Sequence, residues 1–234
     1  MNTFNLSSIG RRRTQIATAC LFPVFTFFAL WLDSTTFSEI YFEGQKITTI
    51  ASILYFLVMF FVSDKYLRKL LFTMVLLSYI GELIFCLGLD MYQYRLKGIP
   101  LYVPFGHAIV FGSGYIYSSL TFLKRIDFNM NIIFKWLFPL SFLVVGVYFE
   151  DVFTLIFGSF FMFLIKRKNW QSVYFYIALC VIYIELVGTY FGCWKWTPKV
   201  FSFILTENPP IGAVFFYAGG DVLLVKIVSK FSKK

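Results

Sequence analysis

Four ionisable side chains lie within long apolar runs of this sequence and could carry acid–base chemistry. They are Glu82, His107, Glu185 and Asp221. A charge buried in apolar surroundings costs several kcal/mol unless it is paired, so such groups face a cavity, form pairs or stay neutral. A neutral carboxylic acid can donate a proton at neutral pH, and a carboxylate can accept one. We therefore predict Glu82 and Glu185 as acid and base, with His107 and Asp221 as helpers.

Each glutamate is followed by two aromatic residues that have one residue between them. The first pair is Tyr-Gln-Tyr at 92–94, and the second is Trp-Lys-Trp at 194–196. Tyrosine and tryptophan commonly anchor membrane proteins at the lipid interface, which is the alternative role for these rings. Because both pairs follow a buried glutamate, we predict that they line the entrance to a site. The predicted substrate-binding residues are Tyr92, Tyr94, Trp194, Trp196, Asn208 and Tyr217.

A purely structural role for the ionisable residues is the main alternative. Glu82 and His107 could form polar contacts between helices. Glu185 could bond Thr189 one turn further along the chain, and Asp221 could pair with Lys226. Two prolines, at 209 and 210, follow Asn208, which is a good residue to cap the start of a helix.

Composition assigns the chain to the polytopic membrane proteins. Of 234 residues, 59% are hydrophobic and only 14% are charged, whereas soluble domains are about half apolar and about a quarter charged. The net charge of +9 does not predict nucleic-acid binding, because the basic residues lie at the ends of apolar segments. We predict an all-α transmembrane helical bundle that forms a single domain, 1–234.

Eight apolar segments are candidate membrane spans. They cover residues 15–32, 47–63, 70–89, 102–122, 132–149, 152–165, 173–192 and 209–228. With the N-terminus in the cytoplasm, 16 of the 21 basic residues lie on the cytoplasmic side, as the positive-inside rule requires. We therefore predict both termini in the cytoplasm, in a bacterial inner membrane. The alternative for 132–165 is one long hairpin that does not cross fully.

The two halves of the chain resemble each other. Tyr-Ile precedes both glutamates, and a proline-led segment follows both aromatic pairs. Eight spans divide into two four-helix repeats, 15–122 and 132–228, in the same orientation. On this alignment, each predicted acid lies about 8 to 16 Å from the outer end of its span.

The residue inventory excludes several kinds of site. One histidine is too few for a histidine-box iron enzyme, the four cysteines have no zinc spacing, and nucleotide-binding glycine loops are absent. We therefore expect no metal and no cofactor. Two small-residue clusters, 112–114 and 219–220, predict close contacts between helices. The remaining residues are compatible with metal-free chemistry on an apolar substrate, or with binding and transport.

The segment Gly81-Glu82…Gly88…Tyr92-x-Tyr94…Gly98-Ile-Pro-Leu-x-Val-Pro104 resembles the bacterial membrane carotenoid-biosynthesis family that includes the carotenoid 1,2-hydratases. The resemblance covers about 25 residues, and the family has a tryptophan where this chain has Gly106-His107. It implies an isoprenoid substrate and a proton-initiated hydration or cyclisation. A carboxylic acid would protonate a C=C bond, and aromatic faces would stabilise the cation.

Two functions are therefore open. The first is an integral membrane enzyme that acts on an isoprenoid or other lipid-soluble substrate, as a lyase or isomerase. The second is a proton-coupled transporter that uses the same carboxylates between two repeats. A structural or assembly factor is a third possibility. The expected partner is a membrane lipid or lipid-soluble molecule, and the oligomeric state is open.

Overall fold

A computed structural model describes residues 6–120, 127–169 and 171–232 and contains nine α-helices in those ranges. The helices are α1 Leu6–Leu32, α2 Thr35–Ile40, α3 Gln45–Val62, α4 Lys65–Glu82, α5 Tyr102–Ser118, α6 Asp127–Tyr148, α7 Val152–Arg167, α8 Ser172–Tyr190 and α9 Val214–Ser232. A π-helical segment, Leu83–Gly88, continues α4, and a 3₁₀ turn, Ile211–Ala213, precedes α9.

The prediction of a helical membrane protein is confirmed. Within the described residues, six helical segments are long and apolar enough to cross a membrane: Gly10–Leu32, Gln45–Val62, Lys65–Gly88, Met130–Tyr148, Ser172–Tyr190 and Ile211–Phe231. Helices α5 and α7 correspond to the other two predicted spans but have only 17 and 16 residues. The end of the predicted span 102–122, with Lys124 and Arg125 beyond it, lies outside the described residues.

The acidic turn predicted between the fifth and sixth spans separates two helices. Asp151 is buried and caps α7, because its Oδ1 accepts the backbone N–H of Thr154 at 2.9 Å. Two glycines let α6 and α7 pack closely: a Cβ at Gly146 would lie 2.3 Å from the Leu155 side chain, and one at Gly158 would lie 2.6 Å from Phe142.

Short strands occupy one end of the bundle, which we call the strand end. Strand β1 (Tyr92–Tyr94) pairs antiparallel with β2 (Trp194–Trp196), and β3 (Lys199–Val200) pairs with β4 (Ile204–Leu205). The all-α prediction did not include these ladders. They form because backbone groups of packed loops need hydrogen-bond partners: the loops after α4 and α8 pair with each other in β1–β2, and the loop after α8 pairs with itself in β3–β4.

Helix α5 lies at the centre of the bundle and packs against α1, α3, α4 and α8. Residues 108–114 of α5 are all buried. A Cβ at Gly114 would lie 2.7 Å from the Cα of Ile177 on α8, so the two helices approach at backbone distance there. The close contact predicted for 112–114 is therefore present. At 219–220 the prediction is wrong, because a Cβ on either glycine would meet no atom within 4 Å.

A buried ion pair fastens the strand end. Arg95 follows β1, and its Nη2 lies 2.7 Å from Oδ1 of Asp33, whose side chain is 0% exposed. The other Asp33 oxygen accepts the hydroxyl of Tyr102 at 2.6 Å. Arg95 also bonds Glu43, which is 41% exposed. The end of α1, the loop before α3, the end of β1 and the start of α5 are thereby tied together.

The opposite end of the bundle carries basic residues, and two of them bind backbone carbonyls. Arg12 in α1 donates to the carbonyl of Ser119, just beyond α5, at 3.1 Å. Arg68 in α4 donates to the carbonyls of Phe60 and Ser63 at 2.9 Å each, which satisfies the end of α3.

We expect Arg95→Met to lower the free energy of unfolding by about 3 to 5 kcal/mol, because it leaves the Asp33 charge buried and unpaired. Thermal denaturation in detergent measures the change. Glu43→Gln is the matched control: it removes the exposed partner of Arg95 and should cost no more than about 1 kcal/mol. Adding Asp33→Asn to Arg95→Met should restore part of the loss. Equal stability of the Arg95 and Glu43 variants would contradict this assignment.

Candidate functional site

Glu82 lies at the end of α4, is 3% exposed and is hydrogen-bonded to three ring groups. Its Oε2 accepts the hydroxyls of Tyr92 at 3.0 Å and Tyr94 at 2.9 Å. Its Oε1 lies 3.0 Å from Nε2 of His107 on α5. The helix changes to π-helical geometry directly after Glu82, a local widening that is frequent at functional sites.

Glu185 on α8 is 4% exposed and has the same arrangement with different rings. Its Oε2 accepts the indole N–H of Trp194 at 2.9 Å and that of Trp196 at 3.1 Å. Its Oε1 accepts the hydroxyl of Tyr217 on α9 at 2.9 Å. Each glutamate thus takes two donors from the strand that follows its helix and a third from the next long helix.

The register of the β1–β2 ladder brings the two arrangements together. Tyr92 pairs with Trp196 and Tyr94 pairs with Trp194, so the two strands are related by a local twofold axis through the central pair, Gln93 and Lys195. Side chains alternate between the two faces of a strand, so all four rings share one face. The ring centroids of Tyr92 and Trp196 are 4.9 Å apart, and those of Tyr94 and Trp194 are 6.2 Å apart.

A stacked pair of rings joins the two glutamates. The imidazole of His107 and the phenol of Tyr217 are nearly parallel, with an interplanar angle of 14° and a centroid separation of 5.0 Å. Since His107 bonds Glu82 and Tyr217 bonds Glu185, the two carboxyl groups belong to one connected cluster. A change of charge at one carboxyl is therefore felt at the other.

The strand residues of this cluster are hydrogen-bond donors to the glutamates. Burial raises the pKa of the Tyr92 and Tyr94 hydroxyls well above the ordinary phenol value, and the nearby Glu82 charge raises it further. The indole N–H groups of Trp194 and Trp196 can only donate. Two donors therefore point at the same oxygen of each glutamate, an environment that accommodates a carboxylate.

Both glutamates line one apolar cavity that extends from the β1–β2 ladder into the bundle. The cavity has a volume of about 160 Å³. All four predicted catalytic residues and five of the six predicted binding residues line it: Glu82, Glu185, His107, Asp221, Tyr92, Tyr94, Trp194, Trp196 and Tyr217. The structure thus brings these residues together, and their roles in catalysis and binding stay predictions.

Asn208 is the predicted binding residue that does not line the cavity. Its side-chain oxygen accepts the backbone N–H of Trp196 at 2.9 Å, so it supports β2 from outside. It does not cap α9 either, because the 3₁₀ turn after Pro210 intervenes.

One structural contact considered from the sequence is present, since Glu82 on α4 bonds His107 on α5, but the contacts considered for Glu185 and Asp221 do not satisfy those acids. The hydroxyl of Thr189 donates to the backbone carbonyl of Glu185, not to its carboxylate. Oδ2 of Asp221 is buried and makes no hydrogen bond to any described residue, so the predicted pairing with Lys226 does not occupy that oxygen.

Two residues outside the predicted set also shape the site. Tyr102 lines the cavity at the start of α5, where its hydroxyl bonds Asp33. Gly188 supports the site from behind, because the Trp194 indole lies where its Cβ would be. Tyr102 lies five residues before His107, which is about 140° around the helix, so helical spacing does not predict a shared face; Gly188 gave no signal in the sequence.

No group of three or more His, Cys, Asp or Glu residues within 6–120, 127–169 and 171–232 is arranged to hold a metal ion. Comparisons with protein-family models, with curated proteins and with solved structures found no match to this chain. Its function is therefore argued from the geometry of the site.

We expect Gly188→Ala to displace the Trp194 indole, because the new Cβ would lie 1.9 Å from the ring. Overpacking of this kind costs about 1 to 3 kcal/mol, and the hydrogen bond to Glu185 is lost with it. Thermal denaturation and tryptophan emission both report the change. Gly219→Ala is the matched control, since it meets no neighbouring atom and should be neutral or slightly stabilising. Unchanged emission and stability in Gly188→Ala would contradict the packing described.

Proposed function

We propose that this chain is an integral membrane enzyme that uses carboxylic acids to protonate a C=C bond of an isoprenoid or other lipid-soluble substrate. The observation that carries the proposal is the placement of two buried glutamates and four aromatic rings on the wall of one apolar cavity. An apolar cavity takes up an apolar substrate, and the carboxyl groups are its reactive groups.

The proposed reaction needs only groups of this site and the substrate, with water as co-substrate when the reaction is a hydration. A neutral Glu82 or Glu185 gives its proton to one carbon of the double bond: the O–H bond breaks, a C–H bond forms, and a carbocation and a carboxylate result. In an isomerisation or cyclisation, a neighbouring carbon then loses a proton to a carboxylate. In a hydration, the oxygen of a water molecule bonds to the cationic carbon, and the water loses one proton to a carboxylate.

The aromatic rings suit a cationic intermediate. Tyr92, Tyr94, Trp194 and Trp196 line the cavity, and the face of a tyrosine or tryptophan ring attracts a cation by about 0.5 to 2 kcal/mol. Their hydroxyl and N–H groups all donate to the glutamates, which polarises the rings and makes their faces more negative. The glutamates thus contribute to stabilising the cation as well as supplying the proton.

The equivalence of the two halves supports an internal duplication, which we propose together with eight membrane crossings. The halves place their glutamates, aromatic pairs and third donors in matching positions around the axis of the β1–β2 ladder. An even number of crossings keeps both halves in the same orientation. It also leaves the basic end of the bundle in the cytoplasm.

This topology predicts which loops an impermeant reagent reaches. Lys97 lies in an exposed loop at the strand end, and Arg167 is exposed at the basic end. We expect a membrane-impermeant maleimide to label Lys97→Cys in intact spheroplasts and Arg167→Cys only after lysis. The wild-type chain, with its own four cysteines, is the background control. Labelling of both variants in intact spheroplasts, or the reverse pattern, would contradict the orientation.

For activity, we expect Glu82→Gln and Glu185→Gln to abolish product, each with a loss of at least about 100-fold. Lipid extracts of cells with and without the protein identify the product, and extracts from the variants measure the loss. Glutamine keeps the fold, because its amide oxygen can accept the two donors on Oε2 and its NH₂ can face His107 or Tyr217.

Glu150→Gln is the matched control, because Glu150 is an exposed acid in the turn before α7, and it should leave product unchanged. Thermal denaturation separates lost chemistry from lost folding. Full activity in both glutamine variants would overturn the enzyme proposal.

The alternative is a proton-coupled transporter, which the pairing of similar sites in the two halves favours. It needs a polar path to both ends of the bundle. The cavity's deeper lining includes Phe22, Phe111 and Ile177, which are buried and apolar, so we favour the enzyme. Proton uptake coupled to a solute in proteoliposomes, with an unchanged lipid extract, would reverse this preference.

A further inference from the structure

We propose that the deep end of the cavity is a subsite for a hydroxyl group on an otherwise apolar ligand, with Asp221 as its hydrogen-bonding partner. The inference rests on the proposed function and extends it by naming the polar group of the substrate. Its test measures binding without turnover, so it can fail while the enzyme proposal stands, and the reverse is also true.

Asp221 differs from the other two buried acids of the cavity. Glu82 and Glu185 each accept three ring donors. Asp221 is equally buried, at 3% exposure, and lines the same cavity, but its Oδ2 makes no hydrogen bond to any described residue. A buried polar atom without a partner is costly, and a ligand that enters the cavity can supply the missing bond.

The surroundings of Asp221 favour an uncharged partner. It lies one helical turn beyond Tyr217 on α9, about 6 Å further from the strand end. The neighbouring part of the cavity includes the apolar side chains of Phe111 and Ile177. A charge at this depth costs several kcal/mol unless it is paired, so the neutral acid is the favoured form. A neutral carboxyl has one donor and free acceptor positions, and a hydroxyl group has the same set.

There is also space for a ligand beside Asp221. The preceding residue, Gly220, lines the cavity, and a Cβ built on it would meet no atom within 4 Å. A larger side chain at this position can therefore fill the subsite without displacing protein atoms. With the hydroxyl at Asp221, the apolar body of the ligand extends past Tyr217 towards the aromatic rings and the two glutamates.

Hexahydrofarnesol and farnesane are suitable probes, because they share one C15 skeleton, differ in a single hydroxyl group and have no C=C bond for the proposed reaction to protonate. Binding to the purified chain in detergent can be followed through tryptophan emission, to which Trp194 and Trp196 in the cavity lining contribute. We expect the wild type to bind hexahydrofarnesol at least 10-fold more tightly than farnesane. Asp221→Leu should lower hexahydrofarnesol affinity to that of farnesane and leave farnesane affinity unchanged, whereas Asp221→Asn should keep part of the preference.

Gly220→Val tests the space independently of the acid. It should weaken both probes at least 10-fold, whereas Gly219→Ala, on the neighbouring residue that does not line the cavity, should weaken neither. Thermal denaturation accompanies every variant: replacing an unpartnered acid by leucine should not destabilise the chain, but loss of a structural contact would. Equal affinity of the wild type for the two probes, an equal loss for both in Asp221→Leu, or tighter binding of the primary amine of the same saturated C15 skeleton than of hexahydrofarnesol would overturn the proposal.

Discussion

The need of two buried carboxylates for hydrogen-bond donors organises the strand end of this protein. Glu82 lies at the end of α4 and Glu185 lies five residues before the end of α8, in apolar surroundings where an unsatisfied carboxylate would cost several kcal/mol. The aromatic pairs of the following loops turn back to donate hydrogen bonds to these acids. The loops then lie side by side, and their backbones pair as β1 and β2. The β1–β2 ladder and the cluster of rings that lines the cavity therefore both follow from the need of the carboxylates for hydrogen-bond donors.

This arrangement explains why the cavity wall formed by β1 and β2 is both rigid and aromatic. Each ring is fixed at two points, by its strand and by its bond to a glutamate, so it is held in place on the cavity wall. Arg95 also fixes β1 through a buried acid, because its pairing with Asp33 holds the end of β1 against α1 and α5. A site built in this way is preorganised, and preorganised dipoles and rings stabilise a developing charge without having to rearrange during the reaction.

The sequence was informative where a signal is local. Apolar runs predicted the membrane class, and the spacing from Glu82 to Tyr92 and Tyr94 predicted a shared site, because both depend on residues close in the chain. Contacts between distant segments were not predictable. Nothing near Tyr92 specifies Trp196 as its partner, and nothing near Asp33 indicates Arg95, 62 residues away. Asn208 and Gly219-Gly220 were misinterpreted because a cap and a small-residue contact depend on which neighbours are present, which a single segment does not show.

The deep end of the cavity is where the two halves cease to match, and this asymmetry bears on specificity. Aligning His107 with Tyr217, which stack on each other and bond equivalent glutamates, sets Asp221 against Phe111 of the first half. Near the strand end, both halves supply a carboxylate and three donors. Further in, one half supplies a buried phenylalanine and the other an acid with an unpaired oxygen. In the proposed duplication, the shared part is suited to the common chemistry of protonation. The part that diverged can distinguish one end of a ligand from the other, because a carboxyl group with an unpaired oxygen is present at this position in one half and a phenylalanine in the other.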